Sequence, residues 1–380
     1  MNWVALRMLT GDRVKFFGLV FGVTFATFLM SQQVSVFVGI VRRSASQIVD
    51  VRDADIWVMD PRVRHFDEAP GLPRGALQRV RSVGGVQWAV PFYKGQVLAR
   101  IETGLPRNVI LEAVDDASLT GAPQELIAGD LADLRRPYAV IVDKAGYEYL
   151  WPGQPIRLWR EFEINDRRAQ LVGVCKASAP FVTLPVMYTR FNEALPYVPT
   201  KRNLMNYVLA EAGPGESSTE VAERITQQTG LLAVTQKRFF WNTIDYMLGS
   251  TGIPVNFGIT IALGFIVGVA VAGQTFYLFT LENLKHFGSL KAMGVNNGRL
   301  IGMILLQALC VGGIGFGLGV GFTALFFERT NQITHLAGLY MPWQAIAGVG
   351  FAVLAIVSLA SLVSARRVLF LEPAIVFRGA

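Results

Sequence analysis

The chain has 380 residues, of which 52% are hydrophobic and 17% are charged, whereas a soluble globular protein usually carries about 25% charged residues. The formal net charge is +7 and the mean hydropathy is +0.39. This composition argues against a soluble globular protein. The sequence also lacks a basic patch interleaved with aromatic residues, so the positive charge indicates no nucleic-acid partner.

Charged residues are missing from four long stretches of the sequence. A membrane-spanning helix needs about 20 predominantly apolar residues, and a Lys or Arg at its centre costs on the order of 3 kcal/mol. Each stretch exceeds that length, so the sequence predicts four transmembrane helices rather than buried core helices. The stretches are 16–41, 246–281, 300–327 and 343–365, and we assign the spans to 16–41, 255–281, 300–327 and 343–365.

The first span follows the N-terminal segment 1–15. Its apolar stretch is about twice as long as the core of a signal peptide, so we interpret it as an uncleaved anchor. Small residues recur every four positions in three of the spans, a spacing that lets helix backbones approach closely and favours a tight bundle or a dimer. These residues are Gly18, Gly22 and Ala26 in the first span, Gly264 and Gly268 in the second, and Gly313, Gly317 and Gly321 in the third.

The segment 42–254 is long enough to form a core of its own. Six short runs rich in β-branched and aromatic residues predict strands. A helix is expected from Ser218 to Gly230, with Ser217 and Glu220 at the spacing of a capping box. The segment is therefore predicted to be a mixed α/β domain. The predicted strands are 54–60, 86–93, 108–114, 138–143, 169–175 and 206–212.

The second uncharged stretch, 246–281, would be about 54 Å long as a single helix, well beyond a bilayer core of about 30 Å. We therefore expect this helix to project from the membrane, with Pro254 near its outer start.

The segment 282–299 is short, basic and interrupted by glycines. Its apolar residues fall on one helical face, and Gly294 is expected to end the helix. Periodicity alone leaves two interpretations open, an amphipathic helix on which a cytoplasmic motor acts or an ordinary surface loop. The apolar residues are Leu284, Phe287, Leu290 and Met293, and Glu282, Lys285, His286 and Ser289 point elsewhere.

The sequence offers no catalytic constellation. His65, His286 and His335 lie in different regions, so they cannot form a metal cluster by themselves. There is no G-x-S-x-G elbow and no phosphate-binding G-x-x-x-x-G-K-[ST] loop, and Asp115 and Asp116 lie in a turn-like stretch. The spans lack a chain of ionisable residues for proton-driven transport. We therefore predict a non-catalytic subunit without metal or cofactor, driven by a separate energy source.

The positive charge is concentrated on one side of the predicted topology. With the N-terminus in the cytoplasm, the inside segments carry nine basic and three acidic residues, whereas 42–254 carries 25 basic and 24 acidic residues. Because cytoplasmic segments collect Lys and Arg, we predict a multi-pass inner-membrane protein with both termini in the cytoplasm. Residues 328–342 would form an extracytoplasmic loop and 366–380 a cytoplasmic tail.

The segment 282–299 resembles the coupling helix of the FtsX/MacB-type ABC permeases, which reads approximately E-R-x-x-E-[IF]-G-x-L-K-A-[LIM]-G-A. Asn283 and His286 stand where the family has an Arg and a second acid. The stretches YAVIVDKAGYEYL and ARRVLFLEPAIVFRG also resemble this family, and the whole chain is most similar to its DevC-like branch, which has no fused ATPase. The matching coupling residues are Glu282, Phe287, Gly288, Leu290, Lys291, Ala292, Met293 and Gly294.

The resemblance implies a membrane α-helical fold with four transmembrane helices in a one-plus-three arrangement. A MacB-like extracytoplasmic core domain would lie between the first and second spans, and 1–15 would be an amphipathic helix at the cytoplasmic surface. Such permeases act as dimers with two copies of a cytoplasmic ABC ATPase, whose closure moves the coupling helices and, through them, the outer domain.

The resemblance also implies roles for individual residues. Phe287, Leu290 and Met293 would form the face that docks into the ATPase, and Gly288 would permit close approach. In a homodimer, Gly18 and Gly22 would lie between protomers, whereas Gly317 would pack within one protomer.

Three functions are compatible with this resemblance. The first is export of an amphiphilic or lipid-like compound by mechanotransmission, with a periplasmic adaptor and membrane lipid as further partners. The second is an FtsX-like regulator of a cell-wall hydrolase, and the third is a lipoprotein-releasing permease.

Overall fold

The structure, a computed structural model, describes residues 2–68, 70–73, 75–102, 104–198, 205–331 and 339–370. The chain forms two compact units. Among the described residues, 2–39, 252–331 and 339–370 form one unit, here called the helical unit, and 40–251 form the other, here called the mixed unit.

The described residues contain twelve α-helices, and four of them are long and apolar enough to cross a membrane. These four are α2, α9, α11 and α12 in the numbering given below. Four membrane helices with a mixed α/β domain between the first and the second confirm the predicted fold class. The helices are α1 (Asn2–Gly11), α2 (Arg13–Arg43), α3 (Ser46–Asp50), α4 (Ala76–Arg81), α5 (Lys144–Leu150), α6 (Phe191–Ala194), α7 (Ser218–Thr229), α8 (Gln236–Ser250), α9 (Ile253–Glu282), α10 (Leu284–Ala292), α11 (Asn297–Asn331) and α12 (Trp343–Leu369).

The second uncharged stretch forms parts of two helices rather than one, and the projection of α9 from the membrane stays a prediction. Helix α8 ends at Ser250, and α9 begins at Ile253 with Pro254 in its first turn. Proline fits the first turn because its missing N–H would have no helical partner there. The position expected for Pro254 is confirmed, and α9 alone is about 45 Å long at 1.5 Å per residue.

The described residues of the mixed unit contain ten strands, and all six predicted strands are confirmed. The four that the sequence did not reveal are β4, β6, β8 and β10, each of four or five residues, too short for a clear alternating pattern. The strands are β1 (Ile56–Met59), β2 (Val86–Arg100), β3 (Pro106–Val114), β4 (Leu126–Gly129), β5 (Ala139–Asp143), β6 (Glu161–Ile164), β7 (Arg167–Cys175), β8 (Val186–Arg190), β9 (Tyr207–Ala212) and β10 (Leu232–Thr235).

Strand β2 joins two sheets because its two halves pair with different partners. Its first half pairs with β9 in a four-stranded sheet of order β10-β1-β9-β2. Its second half pairs with β3 and β6, and the pairings β2-β3-β8-β5-β7-β6 return to β2. The second half of β2 therefore belongs to a closed ring of six strands, which leaves fewer free sheet edges.

Each part of the mixed unit has its own core. Buried side chains of the ring, such as Leu111 and Val140, form one core with Trp151, which follows α5. One face of the four-stranded sheet packs on α4 and α7. A second core beside the four-stranded sheet is aromatic. Full burial of one side chain such as Phe stabilises the fold by about 1.5–3 kcal/mol. This aromatic core consists of Trp57, Phe66, Phe92, Tyr207 and Phe239.

Helix α7 confirms the predicted helix and its start at Ser218, but not the predicted capping box. Gly230 adopts φ +69° and ends the helix, as expected for a left-handed C-terminal residue. Ser217 makes no side-chain capping bond, so the capping box is wrong. The next hydroxyl, Ser218 Oγ, instead donates to Asp55 Oδ2 at 3.2 Å.

Candidate functional site

Helix α10 is a short helix with a defined end. Gly294 has φ +88°, its N–H donates to Lys291 O at 3.0 Å, and the N–H of Val295 donates to Leu290 O at 3.1 Å. This pair of bonds is the Schellman motif, which satisfies carbonyls left open at a helix terminus. The prediction that Gly294 ends the helix is confirmed, and the segment is an ordered helix rather than an irregular loop.

The apolar side of α10 faces its own chain. Phe287 is completely buried, and Leu284 and Leu290 pack beside it. The expectation that Phe287 lies on an exposed docking face is therefore wrong. The apolar side of an amphipathic helix turns to the nearest apolar surface, which here is provided by α1, α11 and α12. The buried residues around Phe287 are Ala5, Leu300, Met303, Ile304, Ala365 and Val368.

The opposite side of α10 is open to solvent. Lys285, Ser289, Ala292 and Met293 are exposed, and their spacing of four, three and one residues places them on one helical face. We call these four residues the α10 outer face. Met293 is 72% exposed, which makes it the one large apolar side chain of the α10 outer face.

Polar contacts hold α10 and its flanking residues in place. The ammonium of Lys291 donates to Leu369 O at 2.9 Å, at the C-terminal end of α12, where a positive charge is favourable. Glu282, at the end of α9, forms an ion pair with Lys15. Gln307 Nε2 in α11 donates to Ala5 O at 2.7 Å. The Lys15–Glu282 pair thereby links α2 to α9, and the Gln307 bond links α11 to α1, roles that the sequence alone did not reveal for Lys15 or Gln307.

Close helix contacts in the helical unit occur at some of the small residues noted in the sequence. A Cβ added at Gly22 would lie 2.6 Å from Val271 Cγ1, and one added at Gly268 would lie 2.8 Å from Ala26 Cβ. Real Cβ atoms do not approach so closely, so α2 and α9 pack directly against each other through Gly22, Ala26 and Gly268. Gly22 thus has a packing partner within a single chain.

Helices α2 and α11 approach through glycines that the sequence analysis did not select. A Cβ at Gly319 would lie 2.5 Å from Thr27 Cβ and 2.8 Å from Thr24 O, and one at Gly315 would lie 2.7 Å from Val23 Cβ. Glycine occupies every second position of α11 from Gly313 to Gly321. Spacing alone therefore cannot tell whether the row of Gly315 and Gly319 or the row of Gly313, Gly317 and Gly321 faces a neighbouring helix. The row that faces α2 is the one opposite a row of buried hydroxyl side chains on α2, which includes Thr24 and Thr27.

The other row of small residues in α11 is open. Apart from each glycine's chain neighbours and its own helix backbone, no atom of the described residues lies within 4 Å of a Cβ added at Gly313, Gly317 or Gly321, and the same is true of Gly18 in α2. The expectation that Gly317 packs within one protomer is therefore wrong, because the α11–α2 contact lies on the face that carries Gly315 and Gly319.

The described residues contain no group of three or more His, Cys, Asp or Glu side chains that could hold a metal ion. His65 stacks on Tyr246 with ring centroids 4.5 Å apart, His286 is exposed on α10, and His335 lies outside the described residues. Asp115 Oδ2 accepts bonds from the backbone of a turn at Ser118, as its turn-like sequence indicated.

The mixed unit contains a buried polar cluster on the ring. Lys94 and Glu112 are directly opposite each other on β2 and β3. Lys94 Nζ contacts Asp67 Oδ1 at 2.5 Å, and Gln47 Nε2 donates to Glu112 Oε1 at 2.8 Å. Burial raises the pKa of Glu112 to about 8, although the Lys94 ammonium acts in the opposite direction. The amide of Asn206 bonds the backbone of Lys94, so the cluster is largely satisfied and structural.

Glu112 gives the mixed unit a pH-dependent stability. Its pKa is about 8 in the folded chain and about 4.3 in an unfolded one, so folding favours the protonated form. The stabilisation from this group is complete below about pH 4 and is lost as the pH rises towards 8. We expect the melting temperature to fall from pH 5 to pH 9 in the wild type and to fall less in Glu112→Gln, whose amide can still accept the bond from Gln47. Equal pH profiles for both proteins would contradict this assignment.

Family models match most of the chain. The MacB-like periplasmic core domain matches residues 16–228, and the FtsX-like permease C-terminal domain matches residues 258–373. Uncharacterised ABC transporter permeases of Mycobacterium tuberculosis (strain ATCC 25618 / H37Rv) and Mycobacterium bovis (strain ATCC BAA-935 / AF2122/97) are each 30% identical over 115 residues. That match covers 30% of this chain and 32% of each relative's length.

Two solved structures are similar to part of the chain. One is the periplasmic region of MacB from Actinobacillus actinomycetemcomitans, with a TM-score of 0.39 and 13% identity over 54% of this chain and 97% of that chain. The other is the extracellular domain of the noncanonic ABC-type transporter YknZ from Gram-positive bacteria, with a TM-score of 0.36 and 16% identity over 48% of this chain and 98% of that chain.

Proposed function

We propose a function from one premise: the chain belongs to the family of ABC transporter permeases that combine a MacB-like periplasmic core domain with an FtsX-like permease domain. The chain is the membrane subunit of an exporter, and a separate cytoplasmic ATPase docks on the α10 outer face. ATP-driven movement of α10 is passed through the membrane helices to the mixed unit. The substrate class is an amphiphilic or lipid-like compound.

One observation carries this proposal: α10 is a rigid element with a free outer face. Its inner side is fixed by the buried Phe287, and its end is fixed by the bond from Lys291 to Leu369 O. A force applied to Met293 on the outer side would therefore move α10 together with its neighbours rather than bend a loop. Packed elements transmit displacements of this kind as rigid-body shifts.

The helix connections supply a route for that movement. Only Asn283 separates α10 from α9, and α9 contacts α2 closely at Gly268 and Ala26. Helix α2 leads directly into the mixed unit, and α9 follows α8 of that unit after a break at Thr251–Gly252. In this proposal the termini are cytoplasmic, the membrane is the inner membrane, and the mixed unit lies in the periplasm, where it meets an adaptor protein.

The open small-residue row supports a dimer of this chain. Gly313, Gly317 and Gly321 of α11 and Gly18 of α2 leave space for a close helix contact, and small residues are typical of helix interfaces in membranes. Closed two-fold assemblies are the commonest oligomers, so we propose a homodimer. Cysteine cross-linking at Gly317 in native membranes tests it, because no cross-link there or at Gly18 would remove this row from the interface.

The purified chain is expected to hydrolyse no ATP, because its sequence contains no phosphate-binding loop. A tagged full chain should capture a protein that carries the G-x-x-x-x-G-K-[ST] motif and hydrolyses ATP. Removal of the Met293 side chain on the outer face, in Met293→Ala, should reduce the amount captured, whereas Arg366→Ala, exposed at the end of α12, serves as the control. Hydrolysis by the isolated, uncontaminated chain would overturn the assignment.

A further inference from the structure

A cleft of about 470 Å³ lies in the helical unit between α1 and the junction of α9 with α10. Trp3, Arg7 and Met8 of α1 form one wall, and Glu282 and His286 form the other. The cleft is separate from the α10 outer face, because none of the four residues of that face lines it. The function proposed above does not use it.

The cleft is lined by residues at the ends of two candidate spans, where the polar boundary of a membrane is expected. Lys15 directly precedes the uncharged stretch of α2, and Glu282 directly follows that of α9. The neighbouring side chains Val14 and Phe17 are 82% and 65% exposed on the helical unit, as expected for residues in contact with acyl chains. Trp3 is 68% exposed, and tryptophan is enriched at the membrane–water interface. A headgroup in the cleft would therefore have its acyl chains beside α2.

The charges that line the cleft are of both signs. Lys15 Nζ contacts Asp12 Oδ2 at 2.6 Å and also pairs with Glu282. The Asp12 and Glu282 side chains remain 40% and 51% exposed, so their carboxylates can accept further bonds. Arg7 has its guanidinium carbon 5.1 Å from the Trp3 ring centroid and forms no ion pair with any residue that the structure describes. Two cations thus face two carboxylates.

We infer that this cleft binds the headgroup of a zwitterionic phospholipid that carries a primary ammonium, namely phosphoethanolamine. Arg7 is placed for the phosphate, which guanidinium groups bind in a bidentate manner. The carboxylates of Asp12 and Glu282 are placed for the ammonium, whose three N–H groups match acceptors.

Other headgroups fit these charges less well. A net anionic headgroup without an ammonium would bring no positive group to bind the carboxylates of Asp12 and Glu282. A choline headgroup has no N–H to donate to those carboxylates and is typically recognised by a cage of Trp, Tyr or Phe rings, whereas Trp3 is the only side chain of these three types that lines the cleft in the described part of the chain.

The test measures which lipid the full chain retains. The purified protein is placed in nanodiscs with equal fractions of phosphatidylethanolamine, phosphatidylcholine and phosphatidylglycerol, is then washed with detergent, and the retained lipid is quantified by mass spectrometry. We expect phosphatidylethanolamine to be enriched, and the enrichment to fall about tenfold in Arg7→Ala, since a hydrogen bond to a charged group contributes on that scale. Arg299→Ala, an exposed basic residue outside the cleft, should retain the wild-type pattern.

Two further variants make the assignment specific. Glu282→Gln removes one carboxylate and should shift retention from phosphatidylethanolamine towards phosphatidylglycerol. Trp3→Ala removes an exposed side chain without opening a core, so it should weaken retention while leaving the melting temperature unchanged. Equal retention of all three lipids, or the same pattern in Arg7→Ala and Arg299→Ala, would overturn the inference. So would loss of ATPase capture in Arg7→Ala with unchanged lipid retention, because the cleft would then be a protein contact.

Discussion

Replacing Phe287 by alanine is expected to lower the free energy of unfolding of the helical unit by about 3–5 kcal/mol, as for other fully buried aromatic side chains. The Phe287 side chain is 0% exposed and fills the space between α1, α11 and α12, so its removal leaves a cavity that these helices cannot easily close. The loss should appear as a lower melting temperature of the full chain in detergent.

Met293→Ala is the matched control on the same helix. Met293 is 72% exposed, and surface substitutions away from packed features usually change stability by less than about 0.5 kcal/mol. The two variants should therefore separate two properties: Phe287→Ala loses stability, whereas Met293→Ala keeps stability and loses capture of the ATPase. Equal melting temperatures for both variants would show that Phe287 is not a core residue.

Gly319→Ala is expected to destabilise the membrane helices by about 1–3 kcal/mol, the usual cost of overpacking. The added methyl would lie 2.5 Å from Thr27 Cβ and 2.8 Å from the backbone oxygen of Thr24. Because a backbone atom cannot rotate away as a side chain can, α2 and α11 would have to separate.

Gly317→Ala is the control, two residues away on the same helix. No described atom lies within 4 Å of a Cβ added at Gly317, and alanine is a better helix former than glycine. Its melting temperature should therefore equal or exceed that of the wild type. If Gly317→Ala were instead the more damaging variant, α11 would be rotated relative to the arrangement described above.

The sequence indicated most of the fold because its strongest signals are local. Uncharged stretches identify the spans, and strands of the length of β2 or β3 show clear runs of β-branched and aromatic residues. Short strands such as β6 depend on their partners, β2 and β7, and the closed ring follows from long-range pairing that no local pattern reveals. The break between α8 and α9 is marked only by Gly252 and Pro254.

The sequence predicted helix α10 but not the direction in which its apolar side faces. Periodicity correctly placed Phe287 and Leu290 on one apolar side of α10, but it cannot tell whether that side packs on the chain or on a partner. The sequence likewise cannot tell which glycines of α11 pack against α2, because Gly315 and Gly317 differ only in the direction they face. Distinguishing the two sides requires the positions of the neighbouring helices, which the structure provides.

The most direct test of the central claim is site-specific cross-linking from α10 to the ATPase in native membranes. Single cysteines are introduced by Ser289→Cys and Met293→Cys on the outer face and by Phe287→Cys on the inner face, with Cys175 and Cys310 replaced by serine. The account predicts cross-links to the ATPase from positions 289 and 293 that change with ATP, and none from position 287. Absence of a cross-link from both outer positions, with both proteins present in the membrane, would contradict the proposal that α10 couples this permease to its motor.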